Sequence, residues 1–338
     1  MKKNALLLAV LGAAATTAAA QSPNVTIYGR VNTSIESQKT TGVDRTTVLQ
    51  NNSSRWGLKG SEDLGGGMKA FLMLESGFDS DTGRLSNDGG IFNRESFAGI
   101  TTGFGTVRAG RITSPVYFAS ADYVSMHNHD TGTSSDFLFG FAATGGNNNN
   151  SITYKTPSFS GAEIEVAHSF AASGSELPGS NNLRNTQVAI NWVGGPLHLG
   201  GGFAQMDDKR TGSSLKNDTA VIRALYDMGA FIVGGYYERS KLLIGTERRS
   251  RNNFRVAGMY AMGASEFHLN FGMAGDFNGL SDTGANQFTV AYNYNLSKRT
   301  KLYAFYTQVD EDSKGTYYLG ATPGAKFSSL AAGFRHNF

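Results

Sequence analysis

The chain has 338 residues, of which 43 are glycine, 6 proline and none cysteine, and its formal net charge is +3. Without cysteine the fold cannot depend on disulfides. Two of the positive charges, Lys2 and Lys3, lie in an N-terminal segment that we expect to be removed, so the remaining charge is small and gives no reason to expect a nucleic-acid partner.

The first twenty residues have the layout of a secretory signal peptide. Two lysines precede an apolar, alanine-rich run, which ends in the small residues Ala18–Ala20. This run is shorter and less apolar than the roughly 20 residues of a membrane-spanning helix. The sequence therefore predicts a signal peptide over residues 1–20, export of the chain, and one mature domain over residues 21–338.

After this segment, apolar and polar residues alternate with a period of two, which is typical of β-strands that have one apolar and one polar face. The pattern is clear in residues 25–37, 68–78, 286–296 and 300–310. Counting such runs predicts an all-β chain with sixteen strands. They are expected near residues 24–38, 50–61, 67–79, 91–102, 104–112, 150–158, 161–171, 184–194, 196–207, 216–228, 230–241, 252–262, 264–275, 284–296, 299–310 and 327–338.

Short turns and long polar loops alternate between these strands. Turns such as "DLGGG" at 63–67 contain glycine, which adopts the dihedral angles of tight turns, whereas stretches such as 113–149 and 242–251 are long and polar. This plan is typical of an outer-membrane β-barrel, whose closure leaves no unpaired strand edge. The final "FRHNF" fits, because the last strand of a barrel can end once it has paired with the first.

Four segments resemble the general-diffusion porins of Gram-negative bacteria, in particular the beta-proteobacterial (Neisseria/Comamonas-type) branch. They are "VTIYGRVNTSIES", "SSRWGLKGSEDLGGGMKAFLMLESGF", "FNRESFAGITTGFGTVRAGR" and the terminal "FRHNF". The resemblance implies a sixteen-stranded antiparallel barrel in the outer membrane, three copies per unit, and a third loop, about 113–149, folded into the lumen. It also implies passive, non-enzymatic diffusion of small anionic or polar solutes, contact with outer-membrane lipid and lipopolysaccharide, and recognition of Phe338 by the outer-membrane assembly machinery.

Alternation predicts which basic side chains of the first two strands point into the pore. Arg30 lies on the polar face of the first strand, and Arg55 is turned inward if Trp56 and Leu58 face the lipid. The resemblance matches both arginines to basic residues of the family's pore wall.

Two further arginines are expected at the constriction. If Phe97 faces the lipid, Arg94 points inward, and the resemblance matches it to a second wall arginine. On the next strand either Arg108 or Arg111 faces inward, and we favour Arg111 because it ends the strand beside the long loop.

Acidic residues are expected to face this basic wall. The candidates are Glu75 on the third strand and Asp122, Asp130 and Asp136 in the long loop. Opposed charges of this kind produce a transverse field, and the excess of arginine predicts a preference for anions. The family commonly has a further basic residue at the end of this loop, where this chain has the uncharged "GGNNNN", and this difference argues against strong selectivity.

No motif indicates a catalytic or cofactor site, and we expect neither. The loop stretch "HNHD" at 127–130 offers too few ligands for a zinc site. Acidic stretches at 79–83 and 310–315 could hold calcium loosely, although each lacks the final glutamate of a calcium loop. The alternative function is a barrel that acts as an adhesin or surface receptor through its long loops.

Overall fold

The computed structural model describes residues 24–86, 90–124, 132–172, 183–208, 215–317 and 322–338. Seventeen strand segments form one antiparallel sheet. They are β1 (Asn24–Thr40), β2 (Thr46–Asn51), β3 (Arg55–Gly65), β4 (Met68–Gly77), β5 (Glu95–Thr102), β6 (Gly105–Thr113), β7 (Asn147–Lys155), β8 (Ala162–Ser169), β9 (Leu183–Gly194), β10 (Leu197–Asp208), β11 (Lys216–Asp227), β12 (Phe231–Ile244), β13 (Glu247–Met262), β14 (Ser265–Ala274), β15 (Ala285–Asn295), β16 (Thr300–Glu311) and β17 (Lys326–Asn337).

The sheet closes on itself because β17 pairs with β1, from Arg30↔Asn337 to Thr40↔Phe327. Segments β2 and β3 both pair with β1 and share one position in the wall, which therefore has sixteen strands. The predicted sixteen-stranded antiparallel barrel is confirmed.

The strand predicted at 50–61 is interrupted between β2 and β3. Ser53 adopts a positive φ of 61°, which breaks the regular ladder. The backbone amide of Asn32 on β1 donates to Ser54 Oγ at 3.0 Å, and its side-chain amide donates to the carbonyl of Asn52 at 2.9 Å. These bonds satisfy polar groups that the interruption would otherwise leave unpaired.

The two faces of the wall differ as alternation predicts. On β1, Ile27 and Ile35 are 66% and 61% exposed on the outer face, whereas Asn32, Ser34 and Glu36 are buried on the inner face. An apolar exterior around a polar interior is the arrangement of a barrel in a bilayer.

The chain end completes the closure. The backbone N–H groups and carbonyls of Gly29 and Phe338 exchange two hydrogen bonds of 3.0 Å. The Phe338 ring covers Gly29, where a Cβ would come within 2.3 Å of it. Glycine at this position therefore lets the last aromatic side chain lie flat against the outer wall.

Several predicted boundaries were wrong. Residues 242–251 form no long loop, because β12 and β13 continue to a tight turn at Gly245, whose φ is 63°. Strand β5 begins at Glu95 rather than at residue 91, and β7 begins at Asn147. The missed starts of β7 and β13 are polar and lack the apolar alternation from which strands were counted.

The connection between β6 and β7 contains short helical turns. They are α1 (Pro115–Ala119), α2 (Ala121–Val124), a 3₁₀ turn (Gly132–Ser134) and α3 (Phe141–Thr144). No helix in the described part of the chain is long and apolar enough to cross a membrane.

Candidate pore constriction

The connection between β6 and β7, here called the constriction loop, begins against the inner face of β9–β11. Ser114 Oγ donates to Gln187 Oε1 at 2.6 Å. Arg223 Nε donates to the carbonyl of Ala119 at 3.0 Å, and the Arg223 guanidinium lies 3.6 Å from the ring centroid of Tyr123. One wall arginine thus holds both α1 and α2.

The middle of the loop is fixed to β12 and β13 through Asp136. Its carboxylate accepts hydrogen bonds from Arg255 Nη2 at 2.7 Å and from Tyr236 Oη at 2.6 Å. The backbone amides of Leu138 and Phe139 also donate to it, at 3.0 and 3.2 Å. Asp136 was predicted to face the pore, and that prediction is wrong, because its carboxylate is bound by hydrogen-bond donors on the barrel wall.

The 3₁₀ turn reaches the first strand. Thr133 Oγ1 donates to Glu36 Oε2 at 2.7 Å, and Ser329 on β17 donates to the same oxygen at 2.9 Å. The other carboxylate oxygen of Glu36 accepts from Ser34 Oγ at 2.7 Å. The described parts of the loop are therefore attached to the wall from β9 round to β1.

A basic cluster lies on β1 and β3–β5. Arg30 and Arg55 are direct cross-strand partners. Glu75 on β4 accepts from Arg94 Nε at 2.6 Å and from Tyr28 Oη at 3.0 Å, and lies 4.0 Å from Arg55 Nε. Glu75 was predicted to oppose the arginines, but the structure places it among them, where it contacts the guanidinium groups of Arg55 and Arg94 and neutralises one charge.

Two further charges border this cluster. Glu95 lies opposite Glu75 in the β4–β5 register and accepts from the Thr113 amide at 3.2 Å. Lys59 Nζ lies 5.4 Å from the ring centroid of Tyr28. Since Lys59 offsets Glu95, the wall keeps an excess of positive charge.

Arg94 points inward for a reason other than the predicted one. Phe97 was expected to face lipid, yet it is 8% exposed, packs edge-on against Phe71 and lies beneath the Arg108 guanidinium. Arg94 precedes β5, and its amide donates to the Glu75 carbonyl at 3.2 Å. Its direction is therefore set by the turn before the strand.

The choice of Arg111 over Arg108 was wrong. Arg108 faces the lumen, where it forms an ion pair with Glu165. Ile112, 1% exposed, also occupies an inward position, so Arg111 between them lies on the other face. Arg111 donates to Asn149 Oδ1 at 2.5 Å across a bulge in the β6–β7 pairing.

Of the remaining predicted acids, Asp122 is half-buried on α2, while its neighbours Ala121 and Val124 are fully buried. Asp130 lies outside the described residues, as does the "HNHD" stretch. In the described ranges, no three side chains of the His, Asp or Glu type are grouped so that they could hold a metal ion.

Sequence reasoning missed Arg223 and Arg255, which hold the loop. Alternation was a usable signal, because Arg255 lies between the outward-facing Phe254 and Val256. It also missed Lys301 on β16, whose Nζ lies 3.2 Å from Glu266 Oε2. None of these positions has a local motif that reveals its partner.

Comparison with known proteins agrees with this geometry. Residues 7–314 match the family model described as "Gram-negative porin". The chain is 30% identical to outer membrane porin protein 32 of Delftia acidovorans over 357 aligned residues and 26% identical to the major outer membrane protein P.IB of Neisseria meningitidis serogroup A over 363, and both alignments cover the full length of both chains.

Similar solved structures include the anion-selective porin from Comamonas acidovorans, with a TM-score of 0.80 and 27% identity over 94% of this chain and 100% of that one. The trimer form of OmpT from Vibrio cholerae, with a TM-score of 0.67 and 16% identity over 94% of this chain and 100% of that one, shares the fold.

Proposed function

Because this chain belongs to the Gram-negative porin family and forms an outer-membrane channel, we propose that it passes small hydrophilic solutes by diffusion and prefers anions. The observation that carries the preference is a wall of three arginines in which Arg55 and Arg94 converge on the buried carboxylate of Glu75 and Arg30 lies opposite Arg55. Guanidinium groups stay charged at any physiological pH, so a permanent positive excess lines this wall.

The size of the effect follows from Coulomb's law. At roughly 5 Å in a water-like medium, one unneutralised charge is worth about 0.8 kcal/mol to an ion. Two such charges enrich monovalent anions roughly tenfold at low salt, and screening reduces this factor as salt rises. The proposed channel is therefore selective but permeable to both signs of ion.

Passive transport needs neither a catalytic group nor an energy source, and the family and fold point to a channel rather than an enzyme. By likeness to the family, we also propose that three copies assemble and that Phe338 is read by the outer-membrane assembly machinery. Conductance that rises in groups of three steps in a planar bilayer is the expected sign of a trimer.

The ion preference is tested by the reversal potential under a tenfold KCl gradient. An anion-preferring pore should reach more than half of the about 59 mV limit for one ion. Arg55→Glu combined with Arg94→Glu should move the potential toward the cation side, whereas Arg45→Gln, in the exposed β1–β2 turn, should not. An unchanged potential in the double variant would refute the assigned wall, and the absence of conductance in the wild type would favour the adhesin alternative.

A further inference from the structure

On the inner face of the barrel, an apolar patch lies between the arginine wall and the short-turn end of the strands. Its members are Tyr28 on β1, Phe71 and Met73 on β4, and Phe97 on β5. Each lies an even number of residues from an inward-facing charge of its own strand, namely Arg30, Glu75 or Glu95. We call these four side chains the luminal aromatic patch. Because the interior of a membrane barrel is generally polar, rings at this place mark a candidate binding surface.

Glycines on the neighbouring strands give two of these rings room against the wall. The Tyr28 ring covers its cross-strand partner Gly57, where a Cβ would come within 2.7 Å of the ring. The Phe71 ring covers its partner Gly99 in the same way, and a Cβ there would come within 2.5 Å. Both rings are only half-buried, so each keeps part of its surface toward the lumen.

The rings at the β5 side of the patch pack against each other and beneath a cation. Phe97 lies edge-on to Phe71, with 6.3 Å between the ring centroids. The Arg108 guanidinium lies 5.2 Å from the Phe97 centroid, but its charge is compensated by Glu165. This side of the patch therefore offers a ring surface without a net charge.

The β3 side of the patch, in contrast, carries a cation that the protein does not neutralise. Lys59 is exposed, and its Nζ lies 5.4 Å from the ring centroid of Tyr28. Among the residues that the structure describes, no side chain forms a hydrogen bond or an ion pair with it. Lys59, Met73 and Phe97 are successive cross-strand partners, so the backbones of Lys59 and Phe97 are roughly 10 Å apart.

We propose that the luminal aromatic patch and Lys59 form a subsite for small aromatic carboxylates. The aromatic ring of the solute lies against Phe71 and Phe97, and its carboxylate faces Lys59. Aromatic rings attract one another in edge-on and offset-stacked arrangements, which a saturated ring cannot form. The subsite rests on the proposed anion preference, because a carboxylate that enters from the loop side must first pass the arginine wall.

The test is block of the chloride current through the full-length channel in a planar bilayer. The two probes are benzoate and cyclohexanecarboxylate, which carry the same charge on a six-membered ring but differ in aromaticity. In the wild type, benzoate should half-block the current at an about tenfold lower concentration. Phe71→Leu with Phe97→Leu keeps the site apolar and should remove this difference. Phe267→Leu is the matched control, because Phe267 is exposed on the outer face of β14, and it should retain the difference.

Lys59→Gln tests the charged end of the subsite. Loss of one cation at roughly 5 Å should raise the half-blocking concentrations of both acids about fourfold. Equal block by the two acids in the wild type would overturn the subsite, and so would unchanged benzoate block in a conducting Phe71→Leu/Phe97→Leu channel. If that double variant gave no conductance, Lys59→Gln would decide, because unchanged block in it would also overturn the subsite.

The reversal potential in KCl alone, without either acid, separates this proposal from the proposed function. An anion-preferring potential together with equal block by the two acids would overturn the subsite only. A potential without anion preference would overturn the proposed function.

Discussion

Replacing Asp136 by asparagine should loosen the constriction loop without changing ion selectivity. The substitution keeps the shape of the side chain but leaves the charge of Arg255, whose side chain is 1% exposed, without its carboxylate. Removing one partner of a buried pair costs about 3–5 kcal/mol. Gln287 Oε1 still accepts from Arg255 at 2.8 Å, so we expect the lower end of this range.

A loss of about 3 kcal/mol raises the population of the detached loop by roughly two orders of magnitude. Single-channel recording measures this as more frequent partial closures and a noisier open state. The reversal potential should remain that of the wild type, because Arg30, Arg55 and Arg94 are untouched. Channel noise thus reports on the attachment of the loop through Asp136, and the reversal potential reports on the basic wall.

The double variant Asp136→Asn/Arg255→Met tests whether the pair itself is responsible. Removing both charges avoids the buried, uncompensated cation, so the double variant should be quieter than Asp136→Asn alone. Asp44→Asn, in an exposed turn, is the matched control. If Asp136→Asn showed wild-type noise, Asp136 would not be an anchor, and its assignment to the wall would be wrong.

Four other substitutions give distinct expectations. Arg111→Gln should leave the reversal potential unchanged while Arg94→Gln lowers anion preference, and equal shifts in bilayer recordings would contradict the outward position of Arg111. Gly29→Ala should displace the Phe338 ring and lower barrel stability by about 1–3 kcal/mol, measured as a lower temperature for loss of the folded band on unheated gels. Glu36→Ala should increase channel noise by releasing the 3₁₀ turn, and a quiet channel would show that this bond does not hold the loop.

The barrel was predictable because apolar and polar residues alternate within each strand, independently of its neighbours. Period two assigned Ile27 and Ile35 to the lipid and Asn32 and Glu36 to the interior without any knowledge of neighbours. It failed where a local irregularity changes the direction of the chain. Arg94 precedes its strand, so no alternation rule applied to it.

The hydrogen-bond and ion-pair partners of a side chain were harder to predict than the face of the barrel wall on which it lies. Asp136 and Asp122 are both loop acids in the sequence, yet only contacts between residues more than a hundred positions apart show that Asp136 belongs to Arg255. Glu75 was likewise placed inside correctly, but nothing in its strand showed that Tyr28 and Arg94 would use its two oxygens.

These pairings change the expected balance of charge across the pore. The sequence alone predicted four carboxylates opposite four arginines at the constriction. With Asp136 neutralised by Arg255 and Glu75 placed inside the basic wall, both are removed from the opposing side. The loss of Arg111 from the wall removes one cation in return. Since Glu75 also neutralises one guanidinium, the wall and the opposing side each lose two charges, and the asymmetry that favours anions depends on the arginines that stay unneutralised, even though "GGNNNN" supplies no additional cation.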